Sequence, residues 1–389
     1  MARLGDIATV ITKGTTPTSL GFNFQTDGVN FIKIESIDEN GKFICEKFDH
    51  INEACHEKLK RSQLQENDIL FSIAGAIGRT AVVTKEILPA NTNQALAIIR
   101  IPQGKINYSF LLYILQSSVV MEQAEKKKQG VAQLNLSLKD IGDLIIPDIP
   151  IEQQQEIVNN LNKVSNLILL RKQQLSKLDK LVKTRFVEMF RESKQYPKEA
   201  LNNNVEQMFI GPFGSALKNE YFVDESDAYC MVYEQKHAIQ KTMDLPTRYV
   251  NEEKYKELKR FEIHGGDIIV SCRGTIGEIY SIPNDAPMGI MHPSIMKIRL
   301  NKEKYCNLFF VFMLEEFMRE SIKKANGSGI KMAITATELG KELFVVPPIE
   351  KQNEFETFVK QIDKSKFDVQ QSLEKLETLK KSLMQQYFG

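Results

Sequence analysis

Five histidines (His50, His56, His237, His264, His292) and five cysteines (Cys45, Cys55, Cys230, Cys272, Cys306) are the residues of this 389-residue chain best suited to metal or nucleophilic chemistry. Zinc sites draw ligands from closely spaced pairs, and neither set has that spacing. The cysteines are scattered, odd in number and form no C-x-x-C, which points to a reducing, cytoplasmic setting. Most of the histidines read as surface or internally satisfied side chains. The glycine-containing stretch FIGPFGS (209–215) is faintly like a methyl-donor loop, but no clear strand–turn–helix frames it. VPPI (346–349) lacks the Asn or Asp and the aromatic residue that an amino-methyltransferase tetrapeptide needs. GSGIKMAIT lacks the G-x-x-x-x-G-K-[ST] spacing that wraps a phosphate in backbone amides. Pro147-Asp148 is not followed at nuclease spacing by an acid-x-Lys. The chain reads as non-catalytic.

Charge is the next source of chemistry. Lys and Arg number 51 and Asp and Glu 50, a net charge of +1, so no global basicity announces a polyanionic partner. The distribution is uneven: residues 1–150 carry 16 basic and 17 acidic groups, whereas 151–200 carry 10 and 6. An electrostatic role must therefore rest on local patches. Lys126-Lys127-Lys128 closes a helical stretch and enters a loop, and Lys323-Lys324 with Lys331 repeat the arrangement. Cations at a helix C-terminus are also ordinary partners of its dipole. Lys60-Arg61 and Lys259-Arg260 recur just before a core strand, and serve equally well as surface charge.

Those recurrences belong to a larger one. NDILFSIAGAIGRTAVV (67–83) returns as GDIIVSCRGTIGEIYSI (266–282), displaced by 199 residues. HEKLKR (56–61) faces YKELKR (255–260), and IIRI (98–101) faces KIRL (297–300), at the same displacement. IGDLIIPDIPIEQQQE (141–156) faces LGKELFVVPPIEKQNE (339–354), and SKLDKLVKTRFVEMF (176–190) faces EKLETLKKSLMQQYF (374–388), now displaced by 198. A register that slips by one residue over so long a span marks an internal duplication.

Each copy has the same order of elements. Short apolar runs separated by turn signals come first, interrupted by one helical stretch at 109–128 and again at 306–325. The glycine pairs Gly75/Gly78 and Gly274/Gly277 mark tight turns between strands. After P-I-E the texture changes. Ile157, Leu161, Val164, Ile168, Leu175 and Leu178 alternate at steps of about four and three, as do Phe355, Val359, Ile362, Leu373, Leu376 and Leu383, the period of a coiled-coil seam. A helix of roughly 38 residues would be nearly 60 Å long. The expected fold is α+β: mixed α/β domains at 1–150 and 194–348, with long helices at 151–193 and 349–389. If the halves are related by a two-fold axis, the helices run antiparallel with one head at each end, and Phe388-Gly389 finishes near the first head. No apolar run is long enough to span a membrane, and MARLGDIATV lacks the basic and apolar regions of a signal peptide.

Two α/β domains alternating with two long helices, D-I-(L/I)-x-S-x-x-G-x-I-G in each domain and P-I-E-x-Q before each helix, closely resemble the specificity subunit of type I restriction–modification systems. The opening LGDIATVITKGTTPT is similar to that family's first target-recognition domain. The counterpart LNNNVEQMFIGPFGS (201–215) is a poorer copy, so its first loop is expected to differ in shape. The resemblance covers essentially the whole chain.

What the resemblance implies is a sequence-specific reader of double-stranded DNA with no catalysis or cofactor of its own. Each globular domain would read half of a bipartite site, and the helices would set the gap and dock two modification (methyltransferase) subunits. S-adenosylmethionine would sit on those partners; restriction (endonuclease/translocase) subunits would bring ATP and Mg. Two rivals are a recognition subunit serving a different nuclease and a coiled-coil adaptor with no DNA role. Under the resemblance the basic patches become candidate phosphate contacts: Lys126, Lys127, Lys128, Lys323, Lys324, Lys331, Lys60, Arg61, Lys259 and Arg260. Thr15 and Thr16, and Arg79 and Arg273 beside the glycine turns, are weaker candidates. Asn91, Asn93 and Gln133 are candidate base readers.

Overall fold

A computed structural model describes residues 1–127, 135–191, 196–328 and 335–389. The chain divides into two compact units, Met1–Gln174 with Val369–Gly389, and Leu175–Asp368. Each unit contains one globular head and parts of both long helices.

In the first unit a four-stranded antiparallel sheet runs Val10–Lys13, Leu96–Arg100, Ile69–Ser72, Thr80–Val82. Beside it lies a three-stranded sheet ordered Asp49–Ile51, Val29–Ile32, Ala90–Thr92, whose last pairing is parallel. The second unit repeats the four-stranded sheet with Val205–Ile210, Ile295–Leu300, Ile268–Ser271 and Ile279–Ser281. Registers coincide as well as strand order: Ile69 faces Ile99 and Val82, and Ile268 faces Ile298 and Ser281. The duplication read from the sequence is thus a duplication of hydrogen-bond register.

The central strand is buried on both faces, which explains its unbroken apolar run. Ile69 and Phe71 join a core with Phe110, Leu111 and Ile114, while Leu70 turns to the other face with Leu96 and Ile98. In the second unit Ile268 and Val270 meet Phe309 and Phe310, and Ile269 faces Tyr233 and Met291.

The motif that recurs in both copies is explained by its hydrogen bonds. The hydroxyl of Ser72 accepts from Arg79 N at 2.7 Å and donates to Ala76 O, closing the turn over Gly75 and Gly78, both at positive φ. Ser271 does the same with Glu278 N (2.9 Å) and Thr275 O (2.6 Å) over Gly274 and Gly277. These are strand-to-strand turns, as their glycines led us to expect.

One expectation is corrected. The stretch at 109–128 is not a single helix but two, Tyr108–Leu115 and Ser118–Lys127, whereas its counterpart is continuous over Asn307–Ser328. Ser117-Ser118 supplies the break: Ser117 is buried, and its hydroxyl accepts from Val120 N at 3.4 Å, a local bond that competes with helix continuation.

The long helices span Ile151–Phe186, followed by a π-helical turn Val187–Arg191, and Ile349–Phe388. They run antiparallel. In the first unit Asn160 meets Tyr387 (3.2 Å) and Lys172 meets Glu377 (3.1 Å); in the second, Asp179 pairs with Lys366 and Phe186 packs on Phe355. Of the predicted seam, Ile157, Leu161, Val164, Phe355, Val359 and Leu373 are buried, and Ile168, Leu175, Leu178, Ile362, Leu376 and Leu383 half-buried. The outer seam residues do more than pair helices. Ile157 and Leu161 enter the first head's core, where Phe388 packs on Phe110 at 5.5 Å, and Phe355 and Val359 enter the second's. All five cysteines are free, and no helix among the described residues is long and apolar enough to cross a membrane.

Candidate nucleic-acid interface

In each head three loops gather at one end of the four-stranded sheet. In the first, Gly14 N donates to Asn93 O (3.1 Å) and Ile73 N to Ala95 O (2.9 Å), which ties the loops at 14–18, 73–78 and 92–95 together. Only glycine fits at 14, since a Cβ would lie 1.8 Å from Thr92 O. In the second head Gly211 N donates to Ile295 O (3.0 Å) and Cys272 N to Ser294 O (2.9 Å), gathering 211–216, 272–277 and 292–294. The junction between the strand Cys230–Tyr233 and the helix Gln235–Gln240 joins them there, because His292 N donates to Tyr233 O at 2.8 Å and Gln235 lies over Gly274.

The two loop clusters share geometry but not residues. The first presents Thr15, Thr16, Asn93 and Gln94, uncharged groups that are partly satisfied locally. Thr16 bonds Gln94, and Asn93 Oδ1 accepts from Ala95 N at 3.1 Å. The second presents exposed Arg273 and Phe213, with half-buried Gln235 and His292 beside them. Behind these, Glu234 pairs with Arg248 and with Lys236 (2.7 Å). Burial pushes the Glu234 carboxyl up, yet the bonds from Arg248 and Lys236 outweigh it and hold the group below its ordinary value. Burial pushes both His237 and His292 down, toward the neutral imidazole that can accept as well as donate. His237 Nε2 is buried without a partner, so this histidine is less satisfied than the sequence suggested.

Several candidates lie elsewhere. Asn91 requires correction as a base reader: it is fully buried, its amide donates to Leu59 O (3.1 Å) and Ser62 Oγ (3.0 Å), and its carbonyl meets His56. Arg79 is also corrected. Its guanidinium donates to Ile34 O (3.2 Å) and Ile37 O (3.0 Å) and braces a loop of its own head. Lys60-Arg61 and Lys259-Arg260 are exposed on equivalent 3₁₀ turns, Lys60–Ser62 and Lys259–Phe261. Lys126 and Lys323 are exposed, while Lys127 Nζ donates to Asp143 O at 3.4 Å. Lys128, Gln133 and Lys331, and the side chain of Lys324, lie outside the described residues.

Sequence reasoning missed the internal ion pairs, and it missed Lys297. This lysine is buried at the position of Ile98 in the first head. It donates to Gln207 Oε1 and Glu262 O, each at 2.8 Å, and lies 4.6 Å from the centre of the Phe209 ring. Burial pushes its amine down to about 8. The signal was available: IIRI against KIRL places a lysine where an isoleucine stands.

Comparison with known proteins follows the same division. The family model for the type I restriction modification DNA specificity domain matches residues 1–180 and again 218–381. A putative type I restriction enzyme MjaX specificity subunit of Methanocaldococcus jannaschii is 26% identical over 397 aligned positions, covering 98% of this chain and 90% of that protein. The type I restriction enzyme EcoBI specificity subunit of Escherichia coli is 35% identical over 140 residues, 36% of this chain and 29% of that protein. Among solved structures, a chain from a study of complex assembly and conformational transition in a type I R-M system matches with a TM-score of 0.67 at 15% identity, covering 99% of this chain and 96% of that one. The S subunit of the type I restriction-modification system of M. genitalium matches with a TM-score of 0.52 at 14% identity, covering 100% and 95%. These two likenesses concern the fold.

Proposed function

This chain belongs to the type I restriction modification DNA specificity family, and from that premise we propose how it works as the DNA sequence recognition subunit of a type I restriction–modification system. Each head reads one half of a bipartite site through its gathered loops. The observation that carries this reading is the pairing of identical sheet register with different loop residues: Thr15, Thr16 and Asn93 in one head, Phe213, Arg273 and His292 in the other. A fixed scaffold holding variable polar loops is what two different base sequences require. Lys60, Arg61, Lys126, Lys259, Arg260 and Lys323 hold phosphates, which sets orientation rather than sequence.

The long helices dock two modification subunits, which carry S-adenosylmethionine and the methyl-transfer chemistry; restriction subunits bring ATP and Mg. This chain has no catalytic step in that scheme. Exposed apolar side chains on the helices support docking. Leu169 and Leu379 stand in the first unit, Leu181 and Phe367 in the second, and the repeat relates Leu169 to Phe367 and Leu181 to Leu379. Large apolar groups left in water at repeated positions fit two copies of one partner.

A head exchange tests the whole scheme. Replacing residues 1–150 by the first head of another family member should alter one half of the methylated sequence in cells that carry the partner subunits. The other half and the gap should stay fixed. Methylome sequencing reads both, and a swap that altered both halves or neither would defeat the two-reader model.

A further inference from the structure

The loop at 211–216 carries a feature that base-edge hydrogen bonding does not use. Phe213 is 87% exposed, the most exposed large apolar side chain among the described residues. Isolated exposed apolar groups are common on protein surfaces, but this one is held out by its surroundings. Pro212 before it is buried, and Leu217 after it is buried at 4%. Gly211 is pressed against the 292–294 loop so closely that a Cβ would lie 2.3 Å from His292 O. Phe213 O accepts from Ala216 N at 2.9 Å, closing the 3₁₀ turn Gly214–Ala216. The backbone is therefore fixed on both sides of an exposed ring.

Its neighbours indicate what the ring meets. The same loop cluster presents the exposed cation Arg273, with Gln235 and His292 at its edge. A cation that can hold a phosphate, carried on the same loop cluster as a protruding aromatic ring, is a combination used where a side chain enters a base stack. At the matching loop of the first head the chain has Thr15 and Thr16, which offer no such ring.

We propose that Phe213 is a wedge that enters the DNA duplex at a base step within the half-site of the second head, unstacking that step while Arg273 holds the adjacent phosphate. The inference rests on the DNA-recognition reading above and adds to it a deformation confined to one half of the site. Specificity at that step would come from how readily the step unstacks, in addition to direct contacts.

The test uses the full chain assembled with its modification subunits, and duplexes carrying the site found by methylome sequencing. 2-Aminopurine is placed in turn at each position of the second half-site. Apart from the methylated base, which the modification subunit itself takes out of the stack, wild type should brighten 2-aminopurine at one further step. Phe213→Ala should abolish that second signal and weaken binding by about tenfold or more, the loss expected for one base–aromatic stack. Phe213→Trp should retain both signal and affinity, whereas Phe213→Leu should retain the fold without full affinity. Because the side chain is exposed, none of these changes touches the core. Phe213→Ala binding the site as wild type does, a wild-type response confined to the methylated base, or a second response that survives Phe213→Ala overturns the wedge and leaves the recognition reading standing. Wild type binding a scrambled duplex as tightly as the site overturns both.

Discussion

Arg299 holds Asp267 through two parallel hydrogen bonds of 2.7 Å, Nε to Oδ1 and Nη2 to Oδ2. Arg100 and Asp68 repeat the arrangement in the first head at the same two distances. The acid that opens each D-I motif is thus an anchor: Asp68 and Asp267 are buried, and each also accepts a backbone N–H, from Gln65 and His264. Removing the arginine leaves a buried carboxylate without its partner, so Arg299→Ala should cost the second head about 3 kcal/mol. Asp267→Ala should cost less, because Arg299 is partly exposed and can turn to water. Thermal unfolding of the two variants reports the order.

Lys297 makes the second head's stability depend on pH. Its amine is pushed down from 10.5 to about 8 by burial, so the folded head releases this proton at lower pH than the unfolded chain does. Above about pH 8 and up to 10.5 the unfolded state holds this proton and the folded head does not, so the contribution of Lys297 to stability rises with pH. Cys230, Cys272 and Cys306, pushed up by burial from 9.0 to about 11, contribute the opposite slope above about pH 9. Below about pH 8 the penalty of holding a buried cation is fully present. Lys297→Met should remove the rise between about pH 8 and 9 and raise the unfolding midpoint at neutral pH. A slope that persisted in the variant would assign it to another group.

Assembly should respond to the exposed helix positions rather than to the seam. Since Lys172 pairs with Glu377, Leu169 and Leu379 stand at about the same level of the paired helices. Leu169→Glu with Leu379→Glu should weaken binding of a modification subunit by at least about tenfold, the effect of losing an interface anchor. Circular dichroism should stay unchanged, because neither side chain is buried. Charging Leu175 and Leu178 is a different experiment, since both are half-buried and part of the helix pairing itself.

Phosphate contacts leave a salt signature. Lys126→Ala and Lys323→Ala should each weaken binding to all duplexes alike and reduce the slope of log K against log salt by about 0.9. Arg79→Ala should instead lower the stability of the first head, because its guanidinium serves two carbonyls there. Titrations at several salt concentrations, set beside melting curves, separate the two behaviours.

The sequence by itself determined the duplication, the order of elements, the glycine turns and the period of the long helices. The elements, turns and helix period depend on which residues stand two, three or four positions apart, and the duplication on the same spacing returning after 198 or 199 residues; the chain carries both whatever its fold. Tertiary structure decided which polar residues are committed to holding the chain together. Gln154 and Gln352 of the P-I-E-x-Q motif show the difference. Their spacing was legible, but not that Gln154 accepts from Asn107 N (2.9 Å) or Gln352 from Cys306 N (3.0 Å), each bonding a residue about fifty positions away. Asn91 and Phe213 mark the two extremes. The amide that looked fit to read a base is buried among three partners, and Phe213, which the spacing of the sequence does not single out, stands in water. A side chain's type states what it can bond, but its neighbours come from strand register and loop closure across tens of residues. Only the folded chain brings those neighbours within the 3 Å or so at which a hydrogen bond forms.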